Sequence, residues 1–246
     1  MEAGWEELAP RVVRRRMPGW DETVGAVAGS AGVLVVDAGA SLGEGARIRK
    51  ELCGRFGRAV THVVLTHPHF DHVLGVAAFS GVEVYGAVGI GERLALSRER
   101  LRDDAVRHGA DPSAVDEAVD VLVLPRHQVT GELTVPLGDR EVLLANVGPG
   151  HTAHDLAVLV PGGGRDGGRD IVFCGDLVEE SGEPQAGPDA HPAHWPAALD
   201  RLLALGGEDA LYVPGHGAVV DAAFVRAQRD ALARRFGVSR RDARTE

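Results

Sequence analysis

The sequence predicts an α+β protein in which two β-sheets form a sandwich with helices on its outer faces. The chain divides into two similar halves, each rich in β-prone segments first and helical later. Several of these segments are near-continuous apolar runs, which are typical of strands buried on both faces. No linker or solenoid-type repeat interrupts the 246 residues. We therefore expect a single domain over residues 1–246, with its core at about 20–220 and a closing helix at about 221–236.

The first half begins as a predicted β-meander, because short β-prone runs alternate with turns that contain glycine or proline. These runs are Arg11–Met17, Thr23–Ala28 and Val33–Val36. A helix is predicted over Ser41–Phe56, where apolar residues recur at helical spacing and Gly57 supplies a stop. Val60–Leu65 is predicted to be the next buried strand. The remaining elements of this half are a helix that begins over Val73–Phe79, a strand at Val82–Tyr85 and an Arg-rich amphipathic helix at Ile90–His108.

The second half returns to β-prone segments separated by turns. The predicted strands are Val121–Leu124, Glu132–Val135, Glu141–Ala145, Leu156–Val160, Ile171–Cys174 and Leu211–Val213. Pro161–Asp170, rich in Gly, Arg and Asp, is predicted to be a mobile hairpin tip. Two helices, Ala193–Leu205 and Asp221–Phe236, complete the half.

Composition limits the partners and the location. The formal net charge is -10 and no basic stripe with interleaved aromatic residues is present, so we expect no nucleic-acid partner. Neither a signal peptide nor a membrane-spanning run is recognisable, and two cysteines cannot build a disulfide framework. These features predict a cytoplasmic protein that acts on a small-molecule substrate and binds no membrane. They leave the oligomeric state open.

Potential metal ligands cluster at one strand end and recur at three others. His67, His69, Asp71 and His72 lie within six consecutive positions directly after the apolar run Val60–Leu65. His151, Asp176 and His216 each follow an apolar segment and stand beside glycine, which allows a sharp turn and a close approach. A single histidine is more often a packing or surface residue. Seven residues in this pattern instead predict a metal site.

The motif Thr66–His72, followed in order by Gly150-His151-Thr152, Gly175-Asp176 and Pro214-Gly215-His216-Gly217, resembles that of the metallo-β-lactamase superfamily. The likeness covers roughly residues 20–220, and Asp37 before Gly39 fits the first of the superfamily's five motifs. This resemblance implies a four-layer αβ/βα sandwich of two mixed β-sheets with a two-metal site at one edge of the sheets.

The resemblance also implies a division of the ligands between two metals. One metal would be held by His67, His69 and His151 and the other by Asp71, His72 and His216, with Asp176 as the bridge. Neutral imidazoles suit zinc, and a bridging carboxylate offsets the charge of two cations, so two Zn²⁺ ions are expected and Fe or Mn remains possible. Asp37 is expected to orient a ligand imidazole through its other ring nitrogen.

The chemistry expected of such a site is hydrolysis. Zinc lowers the pKa of bound water to near 7, which provides a hydroxide that can attack the carbonyl of a small ester, thioester, lactone or amide. Asp71 and Asp176 are the predicted catalytic residues, and Asp71 is placed to orient the hydroxide or to pass a proton to the leaving group.

Efficient β-lactam hydrolysis is not the expected activity. The true zinc β-lactamases typically have Cys at the position of Asp176 and, in one branch, Lys at the position of Glu179. An acidic Glu179 would repel the carboxylate of a β-lactam. Asp176 and the full ligand set are more similar to those of the glyoxalase II and lactonase branches.

Three alternatives stay open. The first is a phosphodiesterase, because two metals also suit in-line displacement. The second is an iron-dependent oxidoreductase of the persulfide dioxygenase or flavodiiron type. The third is a metal-binding protein without turnover.

The irregular segment from Ser181 to Trp195 is expected to line the cleft, because it follows the strand that carries Asp176. His191, His194 and Trp195 are its candidate substrate contacts, although Trp195 is as well explained by packing at a helix start. His154, three residues after His151, is a candidate to contact a metal ligand without binding a metal itself.

Overall fold

The computed structural model describes residues 4–162 and 168–238. Within these ranges, one sheet has seven strands that lie side by side in chain order. They are β1 (Glu6–Ala9), β2 (Val12–Arg16), β3 (Thr23–Ala28), β4 (Val33–Val36), β5 (Val60–Val64), β6 (Glu83–Ala87) and β7 (His127–Val129). Strands β1 to β4 are antiparallel, as the predicted meander requires, and β4 to β7 are parallel.

The second sheet of the described chain has five strands in the order β12-β11-β10-β9-β8. They are β8 (Glu132–Pro136), β9 (Glu141–Asn146), β10 (Leu156–Val160), β11 (Ile171–Glu179) and β12 (Leu211–His216). Only the β11–β12 pair among these is parallel. Both sheets are therefore mixed, and each has at least one parallel pair whose carboxyl ends meet at one edge.

Seven α-helices occur in the described ranges. They are α1 (Leu42–Phe56), α2 (Phe70–Val73), α3 (Ile90–Leu96), α4 (Arg98–Arg107), α5 (Pro112–Asp120), α6 (Trp195–Gly206) and α7 (Ala222–Phe236). The predicted start and stop of α1 are both present, because the Ser41 side chain accepts from Glu44 N and Gly57 takes the left-handed conformation at φ 62°. None of the helices within residues 4–162 and 168–238 is long and apolar enough to cross a membrane.

Three buried apolar clusters join the elements into layers. In β4, Val35 packs towards α1, where it meets Ile48 and Leu52, while Leu34 points to the other side. Leu34 belongs to the central cluster between the sheets, together with residues of β10, β11 and β12. The third cluster packs α6 and α7 against the outer face of the second sheet. Burial of each such Leu or Ile stabilises the fold by about 1.5–3 kcal/mol. The four-layer αβ/βα sandwich of two mixed sheets is confirmed.

The predicted strand at Val121–Leu124 is wrong. These residues follow α5, a helix absent from the predicted elements, in which Asp111 caps the start by accepting from Ala114 N and Pro112 takes a first-turn position. Leu122 is buried, whereas Val121 and Leu124 are exposed, so the apolar run packs as a helix end rather than as a strand. The next strand is the three-residue β7.

Other boundaries also differ from the predicted ones. The helix predicted over Ile90–His108 divides into α3 and α4 at Ser97, and β1 precedes the first predicted strand. The helix predicted to begin over Val73–Phe79 is replaced by α2, which ends at Val73, and a 3₁₀ turn at Val76–Ala78. Strand β11 extends beyond Cys174 to Glu179. Of the predicted hairpin tip at Pro161–Asp170, residues 163–167 lie outside the described part of the chain.

Candidate metal centre

The carboxyl ends of parallel strands bring the seven predicted ligands to one edge of the sandwich. Asp37 follows β4, and the run from Thr66 to His72 follows β5. In the other sheet, β11 carries Asp176 and β12 ends at His216, while His151 lies in the connection between β9 and β10. Residues that are up to 149 positions apart in the chain, from His67 to His216, therefore face a common space.

The donor atoms form two groups. In each group, all donor atoms lie within 4.8 Å of one another. The first group is His67, His69, His151 and Asp176, and the second is Asp71, His72 and His216. This grouping coincides with the division that the family resemblance implies.

Asp176 touches both groups. Its Oδ2 atom lies 3.6 Å from Nε2 of His67 and 3.5 Å from Nε2 of His151. The same carboxylate reaches the second group, with Oδ1 at 3.2 Å from Nε2 of His72 and Oδ2 at 3.4 Å from Nε2 of His216. Asp176 thus occupies the position that a bridging ligand requires.

Each of the five histidines uses its other ring nitrogen to donate a hydrogen bond away from the cluster. The acceptors are Thr66 Oγ1 for His67 (3.0 Å), Asp189 Oδ2 for His69 (3.4 Å), Asp37 Oδ2 for His72 (2.8 Å), Gln185 O for His151 (3.2 Å) and Trp20 O for His216 (2.8 Å). Such bonds fix the ring orientation and direct the remaining nitrogen at the shared space, where its lone pair could bind a metal once any proton on it is displaced. That nitrogen is Nδ1 in His69 and Nε2 in the other four.

Three of the inward-facing atoms are buried without any hydrogen-bond partner: His67 Nε2, His72 Nε2 and Asp176 Oδ1. Buried polar atoms in folded proteins nearly always have a partner, and an unpaired one is costly. Imidazole lone pairs and carboxylate oxygens that converge on one space suit a divalent cation, which would pair with all three atoms. The donor set therefore fits a metal centre.

The two groups differ in electrostatic character. Burial, reinforced by the charge on His72, lowers the pKa of His67 well below its usual value, and burial together with His69 lowers that of His151 to about 4. In the second group, burial is outweighed by Asp176 and Asp71, which raise the pKa of His216 to about 11. In the first group, His67 and His151 are thus neutral, whereas the burial of His69 is outweighed by its hydrogen bond to Asp189, which raises the pKa of His69. The second group lies in a strongly negative environment that attracts positive charge.

Backbone conformation explains how the carboxylates reach the site. Gly175, directly before Asp176, has φ 53°, a left-handed conformation that glycine adopts without strain. Asp37 has φ 61° although it is not glycine, and it is held by hydrogen bonds from Thr66 N and Thr66 Oγ1, both at 2.8 Å. The expected role of Asp37 beside a ligand imidazole agrees with its bond to His72.

Of the three candidate substrate contacts in the segment from Ser181 to Trp195, only Trp195 is accounted for by packing. Trp195 is completely buried and donates from Nε1 to Leu177 O over 3.0 Å, so it is a packing residue at the start of α6. His194 is exposed, and His191 lies 6.1 Å from it, ring to ring. His154 bonds to Val88 O rather than to a ligand of the centre.

Asp189 is the residue of this loop whose side chain bonds to a ring of the centre, and the sequence offered no reason to select it. Its Oδ2 atom accepts from His69 and, over 3.0 Å, from Arg93 Nη2. A carboxylate in a loop beside a metal-binding strand end is a weak signal by itself. Arg93, in α3, became a neighbour only through the tertiary fold.

Glu179 lies at the other end of the centre, paired in the sheet with His216. It is 8% exposed, and its Oε1 atom accepts from Ser181 Oγ over 2.7 Å. The side of the site next to His216 is therefore acidic.

A comparison of sequences supports the geometry. The profile of the metallo-beta-lactamase superfamily matches residues 18–216. A protein named metallo-beta-lactamase type 2 from Bacteroides fragilis is 28% identical over 120 residues, 48% of this chain and 46% of that protein. The protein of the same name from Bacillus cereus is 23% identical over 182 residues, 72% of this chain and 60% of that protein. The chain thus spans about half the length of the curated relatives that it matches.

Solved structures share the same fold. A metallo-beta-lactamase from Pontibacter korlensis superposes with a TM-score of 0.72 at 20% identity and covers 94% of this chain and 98% of its own. The FIM-1 metallo-beta-lactamase from Pseudomonas aeruginosa, in a mono-zinc form, superposes with a TM-score of 0.71 at 21% identity. The match covers 97% of this chain and 98% of that one. At these identities, the likeness establishes the architecture of the chain.

Proposed function

The chain belongs to the metallo-beta-lactamase superfamily, and on this basis we propose that it is a metal-dependent hydrolase with a two-metal centre. The proposed ligands are His67, His69 and His151 for one ion, Asp71, His72 and His216 for the other, and Asp176 between them. The proposed substrates are small esters, thioesters, lactones or amides, and two Zn²⁺ ions are the proposed cofactor.

The observation that carries this proposal is the set of buried, unpartnered donor atoms. His67 Nε2, His72 Nε2 and Asp176 Oδ1 face one space and have no hydrogen-bond partner. A purely structural polar cluster would be expected to pair its members with one another. Although His72 Nε2 and Asp176 Oδ1 lie 3.2 Å apart, neither forms a hydrogen bond within the described chain, and both remain directed at a position that a cation would fill.

Bound zinc would supply Lewis acidity and a water whose pKa is lowered to near 7. The protein contributes orientation and charge. Asp37 and Asp189 hold the rings of His72 and His69 by hydrogen bonds, so that a defined nitrogen faces inward.

Asp71 is the residue assigned to the reacting water. Its Oδ2 atom lies 3.4 Å from Nε2 of both His72 and His216. Although burial raises its pKa, the charge on His72 dominates and keeps that pKa well below the usual value, so Asp71 is ionised. As an acceptor, the carboxylate of Asp71 would orient the water. It would then take up the proton that the water gives up as its oxygen bonds to the carbonyl carbon, and pass that proton to the leaving group.

β-Lactam hydrolysis is the competing assignment, because the curated relatives carry that name. The acidic side of the site argues against it. Glu179 stands beside His216, where a negative charge would repel a substrate carboxylate. We therefore place β-lactams below simple esters and thioesters as substrates.

The test combines metal analysis with a panel of substrates. Protein purified without added metal should contain about two Zn²⁺ per chain and cleave esters, thioesters or lactones faster than β-lactams. Asp176→Ala should hold one ion or fewer and lose orders of magnitude in rate, because the second cation loses a shared anionic ligand. The matched control is Asp200→Ala, since Asp200 pairs with Arg229 far from the centre.

Each alternative gives a different result. Cleavage of phosphodiesters alone would favour a phosphodiesterase, and iron with oxygen consumption would favour the oxidoreductase. Metal binding without turnover on any member of the panel would leave only a binding protein. Two tightly held ions in Asp176→Ala would contradict the bridging role.

A further inference from the structure

A cavity of about 330 Å³ lies beside the centre, on the side of His69. Its walls come from α3 and α4, from Pro68 and His69, and from Pro188 and Asp189 of the loop before α6. The contributing side chains of the two helices recur every three or four positions, so a single helical face lines the space. The volume is at the lower end of the range found for small-molecule sites.

The charges of this cavity do not cancel. Arg93 pairs with Asp189 over 3.0 Å, and Arg107 pairs with Asp104 over 2.9 Å. Arg100 also lines the cavity but has no hydrogen-bond or ion-pair partner in the part of the chain that the structure describes. One positive charge thus remains uncompensated, in a protein whose formal net charge is -10.

The floor of the cavity is apolar. Leu94 and Leu101 are 2% and 7% exposed, and Pro68 and Pro188 complete the lining next to His69. A ligand with an apolar chain and an anionic end would match this arrangement. The chain would cover the leucines, and the anion would meet the free guanidinium.

The opposite side of the centre has the reverse polarity. Glu179 is paired in the sheet with His216, and its buried carboxyl group accepts a hydrogen bond from Ser181. An anionic group on a substrate would be repelled on that side and attracted on the side of His69. The charge distribution thus favours one orientation of an anionic substrate.

We propose that this cavity binds the tail of a substrate that ends in a carboxylate, with Arg100 as its partner. The inference rests on the proposed hydrolase function and names the substrate class of that site. A carboxylate carries one negative charge, which equals the single uncompensated charge of the cavity. A phosphate would carry nearly two negative charges, and its excess charge would be repelled by the nearby Asp104 and Asp189. The reacting carbonyl would then lie over the centre, with the apolar spacer passing His69.

The kinetic test uses two esters that differ only at the end of the acyl chain: p-nitrophenyl hydrogen glutarate and the neutral p-nitrophenyl valerate. Arg100→Gln should raise KM for the glutarate ester by about two- to fivefold and leave its kcat, and both constants for the valerate ester, unchanged. The effect should shrink at high salt because the pair is exposed to solvent. Arg102→Gln is the control, because Arg102 lies on the same helix but pairs with Asp116.

A binding measurement separates the subsite from catalysis. Phenylbutyrate should bind the wild-type protein more tightly than phenylbutyramide, and this preference should disappear in Arg100→Gln but persist in Arg102→Gln. If the preference survives in Arg100→Gln, another group holds the carboxylate and the proposal is overturned. Equal KM changes for the two esters would overturn it as well.

The two experiments distinguish the two proposals. If neither ester is cleaved while the carboxylate preference depends on Arg100, the hydrolase function fails and the anion site stands. If both esters are cleaved and Arg100→Gln alters neither KM nor binding, the hydrolase stands and the subsite fails. Because Arg100 is exposed and makes no bond in the described chain, the variant should keep the thermal stability of the wild type.

Discussion

His72 donates from Nδ1 to Asp37 Oδ2 over 2.8 Å, and this bond joins α2 to the end of β4. Asp37 accepts two further bonds, from the amide and the hydroxyl of Thr66. Three donors converge on one carboxylate, and only an acceptor-only group can satisfy all of them. The ring of His72 is therefore oriented before any ligand arrives.

Asp37→Asn should weaken both the fold and the centre. The amide has one oxygen, so its NH₂ group must face a donor, and a buried donor left unpaired costs about 1–3 kcal/mol. We expect the affinity for zinc to fall about 10- to 100-fold in chelator competition. Asp200→Asn serves as the surface control. An unchanged competition curve in Asp37→Asn would refute this role of Asp37.

Asp189→Ala should act on the first ligand group. The variant removes the acceptor of the Nε2 proton of His69, so the ring can rotate or change tautomer and no longer presents Nδ1 reliably. We expect about a 10- to 100-fold loss of affinity for one of two ions, with both still bound at saturating zinc. Titration with a chromogenic chelator measures the two affinities separately, and identical values in variant and wild type would exclude the effect.

Gly215→Ala should displace the carboxylate of Asp176. A Cβ atom at this position would lie 1.9 Å from Asp176 Oδ1, a distance at which one of the two groups must move. We expect the metal content to fall to one ion per chain or fewer, measured by atomic emission. Gly182→Ala is the matched control, since a Cβ there meets no heavy atom within 4 Å. Full metal content in Gly215→Ala would show that Asp176 can relocate without loss.

Tyr212→Phe should change the alkaline limit of stability. Burial raises the pKa of Tyr212 to about 12, and its hydroxyl donates to Gly207 O over 2.8 Å. An unfolded tyrosine ionises near pH 10, so from about pH 10 to 12 the unfolded state releases a proton that the folded state keeps. Between about pH 10 and 12, the unfolding free energy of the wild type therefore falls by at most about 1.4 kcal/mol per pH unit relative to that of the variant.

Near pH 8, the lost hydrogen bond should make Tyr212→Phe less stable than the wild type by about 0.5–1.5 kcal/mol. Denaturant unfolding should show that the difference in unfolding free energy between wild type and Tyr212→Phe is smaller near pH 11 than near pH 8. A constant difference would mean that Tyr212 ionises equally in both states.

The residues that converge on the candidate centre could be selected from the sequence because their signal is local. Each of His151, Asp176 and His216 follows an apolar strand and adjoins glycine, so strand ends could be recognised without knowing how the strands pair. Asp189 lacks such a signal. The side chain of Asp189 is oriented by its hydrogen bond from Arg93, which is 96 positions away in the chain and lies next to it only after folding.

The strand predicted at Val121–Leu124 is wrong because the way this run packs after α5 is not encoded locally. Asp111 and Pro112 form a recognisable helix start, but the apolar run that follows favours a strand when it is considered alone. Only Leu122 of that run is buried beside Val119, while Val121 is exposed. Which side of a short apolar run is covered depends on the helix packed against it, and local sequence does not contain that information.

The two donor groups have one more property, which concerns the order of assembly. Each group combines residues of the His67–His72 run with residues from the second half of the chain, namely His151 and Asp176 in the first group and His216 in the second. A metal ion bound there would act as a cross-link that closes loops of about 80 and 150 residues and would lower the entropy of the unfolded chain. During synthesis, the second group cannot form until His216 has left the ribosome, so metal loading would follow the folding of the second sheet and would lock the two halves together.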